Sequence, residues 1–107
     1  LLGDCGITMQ QIHGQRLPEI GFHMKKSVWG QGYATEAAKA CLAWGMQQTD
    51  FPAFYCYQKS TNLPSRRVAE KLGMTLQEIY ADPVHTFTSV YAITRTEFFA
   101  TTQNALL

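Results

Sequence analysis

The sequence predicts an α+β domain: a mixed, largely antiparallel sheet with flanking helices. Three observations carry that expectation. Alternating apolar runs and helical stretches follow one another in the order β-β-α-β-α-β-β. Helices that cross between strands require at least one parallel pair, while adjoining runs at both ends can fold as antiparallel hairpins. The chain has 107 residues, 46% of them apolar, which is enough for one core and not for two.

Cys5 to Ile12 alternates loosely and reads as a strand. His13-Gly14-Gln15 is a turn, and Leu17-Pro18 closes the connection. From Glu19 to Lys25 the alternation resumes, with Ile20, Phe22 and Met24 on one face and Glu19, Gly21 and His23 on the other. A glycine-bearing loop, Val28 to Ala34, opens a helix over about 34–48. Ala37, Ala38, Cys41, Leu42 and Gly45 give that helix a stripe of mostly small residues, suited to lying close on a sheet. Asp50 and Pro52 end it. Phe54 to Gln58 is a short aromatic strand. Asn62 can cap a second helix that tolerates Pro64 in its first turn and stops at Gly73. Two further strands, about 75–80 and 87–94, are separated by Asp82-Pro83. From Thr96 onward the composition fits either a helical turn or a frayed end, so the expected domain covers residues 1–98 and the expected tail 99–107.

The charge balance narrows the function. Nine basic and eight acidic side chains give a net charge of +1, and charged residues make up only 16% of the chain, below the roughly 25% usual for globular domains. Neither sign is clustered. That disfavours a nucleic-acid groove or a membrane-surface patch, and no apolar run is long enough to span a bilayer. No charged leader precedes an apolar stretch. The three cysteines, at 5, 41 and 56, are odd in number and lack metal-type spacing. They read as reduced thiols of a cytoplasmic protein, with no metal site.

Most of the functional information lies in Trp29-Gly30-Gln31-Gly32-Tyr33-Ala34-Thr35. A strand ends, glycines follow and a helix begins. The first helical N–H groups have no partner within the helix, the dipole adds partial positive charge, and glycine lets an anion come close. Such a construction suits a phosphate or pyrophosphate. A P-loop would need Lys-Ser or Lys-Thr where Tyr33-Ala34 stands. The dinucleotide fingerprint would need a small residue at Thr35 and an acid at the end of the next strand, whereas Asp50 precedes that strand.

The same segment resembles the coenzyme A pyrophosphate loop of GNAT acetyltransferases of the RimJ/RimL-type branch, with Trp29, Gly32 and Ala34 at its diagnostic positions. Pro18-Glu19-Ile20-Gly21-Phe22-His23-Met24 is similar to the strand before the loop. Asn62 through Ser65 to Lys71, Gly73 and Met74 is similar to the branch's Asn-x-x-Ser element. Tyr91-Ala92-Ile93 with Arg95, Glu97 and Phe98 resembles its last strand. The resemblance covers about residues 3–98. It implies a GNAT fold from which the opening strand and helices are missing, and hence a truncated chain with an incomplete acceptor pocket. An exposed sheet edge would then favour a homodimer.

The resemblance also implies a chemistry: transfer of acetyl from acetyl-CoA, as cosubstrate, to a primary amine of a small molecule or peptide, by direct attack in a ternary complex. Backbone amides of Gly30, Gln31, Gly32, Tyr33, Ala34 and Thr35, beside Trp29, would face the pyrophosphate. Backbone groups of Phe22, His23 and Met24 and the side chain of Asn62 would hold the pantetheine arm, and an N–H near Met24 would polarise the thioester carbonyl. Arg66 and Arg67 could reach the adenosine phosphates. Glu19 and His23 are the candidate bases. The family's frequent helix tyrosine is replaced by Ala69, which leaves the Ser65 hydroxyl as the candidate near the departing sulfur. The competing expectation is a catalytically silent CoA-binding or interaction module that keeps the loop and lacks an acceptor site. A dinucleotide oxidoreductase is disfavoured by Thr35 and Asp50.

Overall fold

His13 and Gly14 both take positive φ, 52° and 79°, the turn geometry whose twist matches two antiparallel strands. They join β1 (Gly3–Ile12) to β2 (Gln15–Met24), in register from Gly3 opposite Met24 to Ile12 opposite Gln15. The computed structural model describes residues 3–24, 32–81, 83 and 86–106, with the side chains of all but 3–4, 23–24 and 102–106. The sequence placed a break at Leu17-Pro18; the strand instead runs through it. A two-residue turn makes Gln15 the first paired residue, and Pro18 sits in the ladder opposite Met9, as proline can where its nitrogen is not required as a donor.

The remaining elements follow as α1 (Tyr33–Gln48), β3 (Ala53–Lys59), α2 (Leu63–Lys71), β4 (Thr75–Ala81), β5 (Phe87–Thr94) and α3 (Arg95–Leu106). The five strands form one sheet in the order β1-β2-β3-β5-β4. Only β2 and β3, joined across α1, are parallel; the other three pairings are antiparallel. This is the mixed sheet with flanking helices expected from the sequence.

The core lies between α1, α2 and one face of the sheet. Ile20, Ala38, Leu42, Met46, Phe54, Cys56, Ala69, Leu72, Tyr91 and Ile93 are buried together. The small-residue stripe of α1 has a specific use. A Cβ at Gly45 would stand 2.7 Å from the Phe54 ring and 2.9 Å from the Ile7 side chain, so only glycine lets this helix sit so close to β1 and β3. Gly73, at φ 88°, ends α2 in the left-handed conformation expected of a C-terminal glycine.

The C-terminal helix was only half legible. Thr94-Arg95-Thr96-Glu97 is a capping box: the Glu97 N–H donates to Thr94 Oγ1 (3.1 Å), and the Thr94 N–H donates to Glu97 Oε1 (2.9 Å). Those bonds hold the Glu97 carboxyl below its usual range, the backbone bond contributing most. The helix continues unbroken across residue 98 to Leu106, and Phe98 packs on the core. Arg95 fastens it to the end of α1, its guanidinium donating to the carbonyls of Thr49 (2.8 Å) and Met46. Across the sheet, His13 at the hairpin tip meets Glu78 of β4, Nε2 to Oε1 2.7 Å, and lies edge-on to the Tyr80 ring. The β1–β2 hairpin thus curls over the face that carries neither α1 nor α2.

Candidate active site

The site begins where β2 and β3 stop being neighbours. Parallel pairing between them is limited to Glu19 opposite Tyr55. Beyond that pair no ladder pairing joins the two strands among the described residues. The gap opens into a cleft of about 500 Å³ lined by residues of β1, β2, β3 and α2, a size typical of small-molecule sites. On the helix-bearing side stand Phe22, Cys56 and Ser65; on the opposite side stand Thr8, Glu19 and Tyr57. Cys56 holds the upper edge, its thiol donating to the Ile20 carbonyl (3.3 Å).

Three residues singled out from the sequence meet here: Glu19, Phe22 and Ser65. Glu19 accepts a long hydrogen bond from Thr8 Oγ1 (3.4 Å), its cross-strand neighbour. Ser65 lies in the first turn of α2, its backbone N–H donating to Asn62 Oδ1 (3.3 Å). Asn62 therefore caps the helix that presents the serine, as the sequence allowed. Gly32 precedes α1 at φ 82°, and among the described residues no side chain caps that helix. The Glu36 N–H returns to the Gly32 carbonyl (3.0 Å), which leaves the amides of Tyr33, Ala34 and Thr35 as the uncapped start of the helix. His23 and Met24 keep their place in β2, paired with Asp4 and Gly3, but their side chains lie outside the described residues. So do Trp29, Gly30 and Gln31 of the loop. Arg66 is turned into the fold: its Nε donates to the Tyr91 hydroxyl (3.1 Å) and its Nη1 to the Ser60 carbonyl (2.9 Å). These bonds occupy a guanidinium that the sequence suggested for phosphates, whereas Arg67 is exposed.

The sequence reading missed Tyr57. Its ring lines the cleft and stacks on Tyr55, centroids 6.1 Å apart and planes within 7°. Its hydroxyl is closed off from solvent and has no hydrogen-bond partner among the described residues. Burial pushes the phenol well above its ordinary value, with Tyr55 and Glu19 adding to the effect. The available signal was the period-two pairing of aromatics in a strand directly following the loop–helix unit. Burial also pushes the Cys56 thiol up, to about 12, so it remains protonated.

Comparison with known proteins gives the family. Residues 1–75 match the family model described as Acetyltransferase (GNAT) domain, and the chain belongs to that family. It is similar to the uncharacterized protein YkkB of Bacillus subtilis, 47% identical over 73 residues that cover 68% of this chain and 42% of that protein. It is also similar to the uncharacterized N-acetyltransferase YnaD of the same organism, 32% identical over 68 residues that cover 64% of this chain and 40% of the relative. Among solved structures, the GNAT-family acetyltransferase of Bacillus anthracis superposes with a TM-score of 0.77 at 29% identity, over 91% of this chain and 60% of that one. The chain spans less than half the length of the two curated relatives.

Proposed function

We propose that this chain carries the cosubstrate-binding half and part of the acceptor site of an N-acetyltransferase, RimJ/RimL-like in its motifs, that moves acetyl from acetyl-CoA to a primary amine. The observation that carries this reading is the cleft between β2 and β3, which gathers Glu19, Phe22 and Ser65 from three separate stretches of sequence. Its fit to a CoA thioester rests on two features. The parted strand edges offer backbone donors and acceptors to an amide-bearing arm, and the uncapped start of α1 offers N–H groups to a pyrophosphate.

The chemistry sets three tasks. The incoming amine must shed a proton; an α-amine has a pKa of about 7.7–8.0 and a lysine amine about 10.4. We assign that proton to Glu19, which lines the cleft on the face opposite Ser65. The neutral nitrogen then forms a bond to the thioester carbonyl carbon, the C–S bond breaks, and the leaving thiolate takes a proton. Ser65 lines the helix-bearing side and is the hydroxyl that can supply or relay it. Phe22 and Cys56 contribute apolar surface that limits water.

Calorimetric titration with acetyl-CoA, with NADH as control, tests the reading directly. Saturation near one equivalent, followed by release of free thiol on adding a panel of primary amines, is the expected result. A folded full chain that binds NADH, or neither ligand, overturns it. Binding without thiol release would leave a silent CoA-binding module. The compartment we propose is cytoplasmic, in keeping with three free cysteines, and no described helix is long and apolar enough to cross a membrane. Self-association is proposed through the sheet edge at β1, the outer strand nearest the chain's start. Sedimentation that stays monomeric across concentrations would sink that part.

A further inference from the structure

We propose that Tyr57 is an amine-positioning residue: the acceptor's N–H groups donate to the Glu19 carboxylate and to the Tyr57 hydroxyl oxygen together. The inference deepens the acetyl-transfer reading above and rests on it for the identity of the reaction. Glu19 stands opposite Tyr55 at the last paired position, and Tyr57 is two residues on, on the same sheet face, where the strands have parted. The two side chains therefore flank the mouth of the gap, and both line the cleft. Glu19 is also close enough to act on the Tyr57 phenol electrostatically.

The hydroxyl is the unexplained group of this site. A buried tyrosine O–H normally finds a partner, yet this one has none among the described residues. The phenol is neutral at physiological pH, as tyrosine ordinarily is, and its oxygen keeps a lone pair for an N–H donor. Reaching it takes a turn of the side chain about its Cα–Cβ bond, so that amine binding and pairing of the hydroxyl occur together. Among the described residues the cleft lining carries one carboxylate, Glu19, and no cationic side chain, which suits an amine that arrives as an ammonium ion. Glu19 takes the proton, and the Tyr57 oxygen keeps hold of a second N–H while the nitrogen lone pair turns toward the thioester.

The test is Tyr57→Phe, which removes one oxygen and keeps the ring stack. Because that oxygen has no partner to lose, thermal stability should be unchanged or slightly higher. The acetyl-CoA dissociation constant should stay within twofold, while kcat/KM for the amine falls roughly tenfold or more, mostly through KM. Amine kinetics within twofold of the parent protein overturn the proposal. So does weakened acetyl-CoA binding with an unchanged amine KM, and so does a lowered melting temperature with no selective effect on the amine. If the parent protein shows no turnover, the acetyl-transfer reading fails and the subsite is still read by carbon-13 NMR of ring-labelled tyrosine. A Tyr57 signal that moves with added n-butylamine in the parent protein, and not in Glu19→Gln, supports it. A signal indifferent to the amine overturns it.

Discussion

Glu19 and Ser65 differ in how much their neighbours constrain them. Ser65 is fixed by the Asn62 cap and the first turn of α2, so removing its hydroxyl leaves the backbone untouched. Ser65→Ala should fold normally, bind acetyl-CoA as the parent does and turn over more slowly. Glu19 is steadied by Thr8, and Glu19→Gln keeps the shape while abolishing the base. Steady-state kinetics should show a fall of roughly 10²–10⁴-fold in kcat, the usual contribution of a positioned general base. A loss below threefold would remove Glu19 from the proton path. Both residues were singled out because a motif named them, and both line the cleft. Tyr57 was not, because strand alternation alone does not say that β2 and β3 part at its level. Only the register, with a single parallel pair, turns an ordinary strand tyrosine into a cleft wall.

Elements tell a similar story about what pattern can and cannot reveal. The small-residue stripe of α1 forecast close packing, and Gly45 is where that closeness is enforced. Gly45→Ala should destabilise by about 1–3 kcal/mol, the usual cost of overpacking, seen as a lower urea midpoint with an unchanged slope. Asn62 was read as a cap and is one. Asn62→Ala should lose about 1 kcal/mol, and a larger drop in acetyl-CoA affinity than in stability would show that it also touches the pantetheine arm. The sequence leaves α3 open between a helical turn and a frayed end, although its Thr-x-x-Glu signature stands there. The apolar periodicity after it is weak, and what secures this helix is Arg95 on the carbonyls of Thr49 and Met46 at the end of α1, 46 and 49 residues earlier in the chain. A long-range hydrogen bond of this kind leaves no local trace. The same holds for His13 and Glu78, brought together across the sheet by the curl of the hairpin. As an exposed pair, it contributes about 1 kcal/mol at most.

At the scale of the whole molecule, the parting of β2 and β3 links stability to proton binding. Opening the sheet at the one parallel pair among the described strands creates the cleft, and it also places Cys56 and Tyr57 side by side at the split, one on each face. Burial raises the proton affinity of both. In the unfolded chain the cysteine releases its proton around pH 9.0, whereas in the folded protein it holds it to about 12. Above pH 9 the folded state therefore binds more protons than the unfolded state, and stability must fall as pH rises. The contribution is fully present below pH 9 and declines by at most about 1.4 kcal/mol per pH unit for each such group. Tyr57 adds to the decline from pH 10 upward, in the same direction. Urea midpoints should hold level from pH 7 to 8.5 and then drop through pH 11. Cys56→Ala should flatten the first part of that drop, and Tyr57→Phe the later part. If neither variant changes the slope, the two groups are not desolvated in the folded protein, and the side chains flanking the split would be open to water.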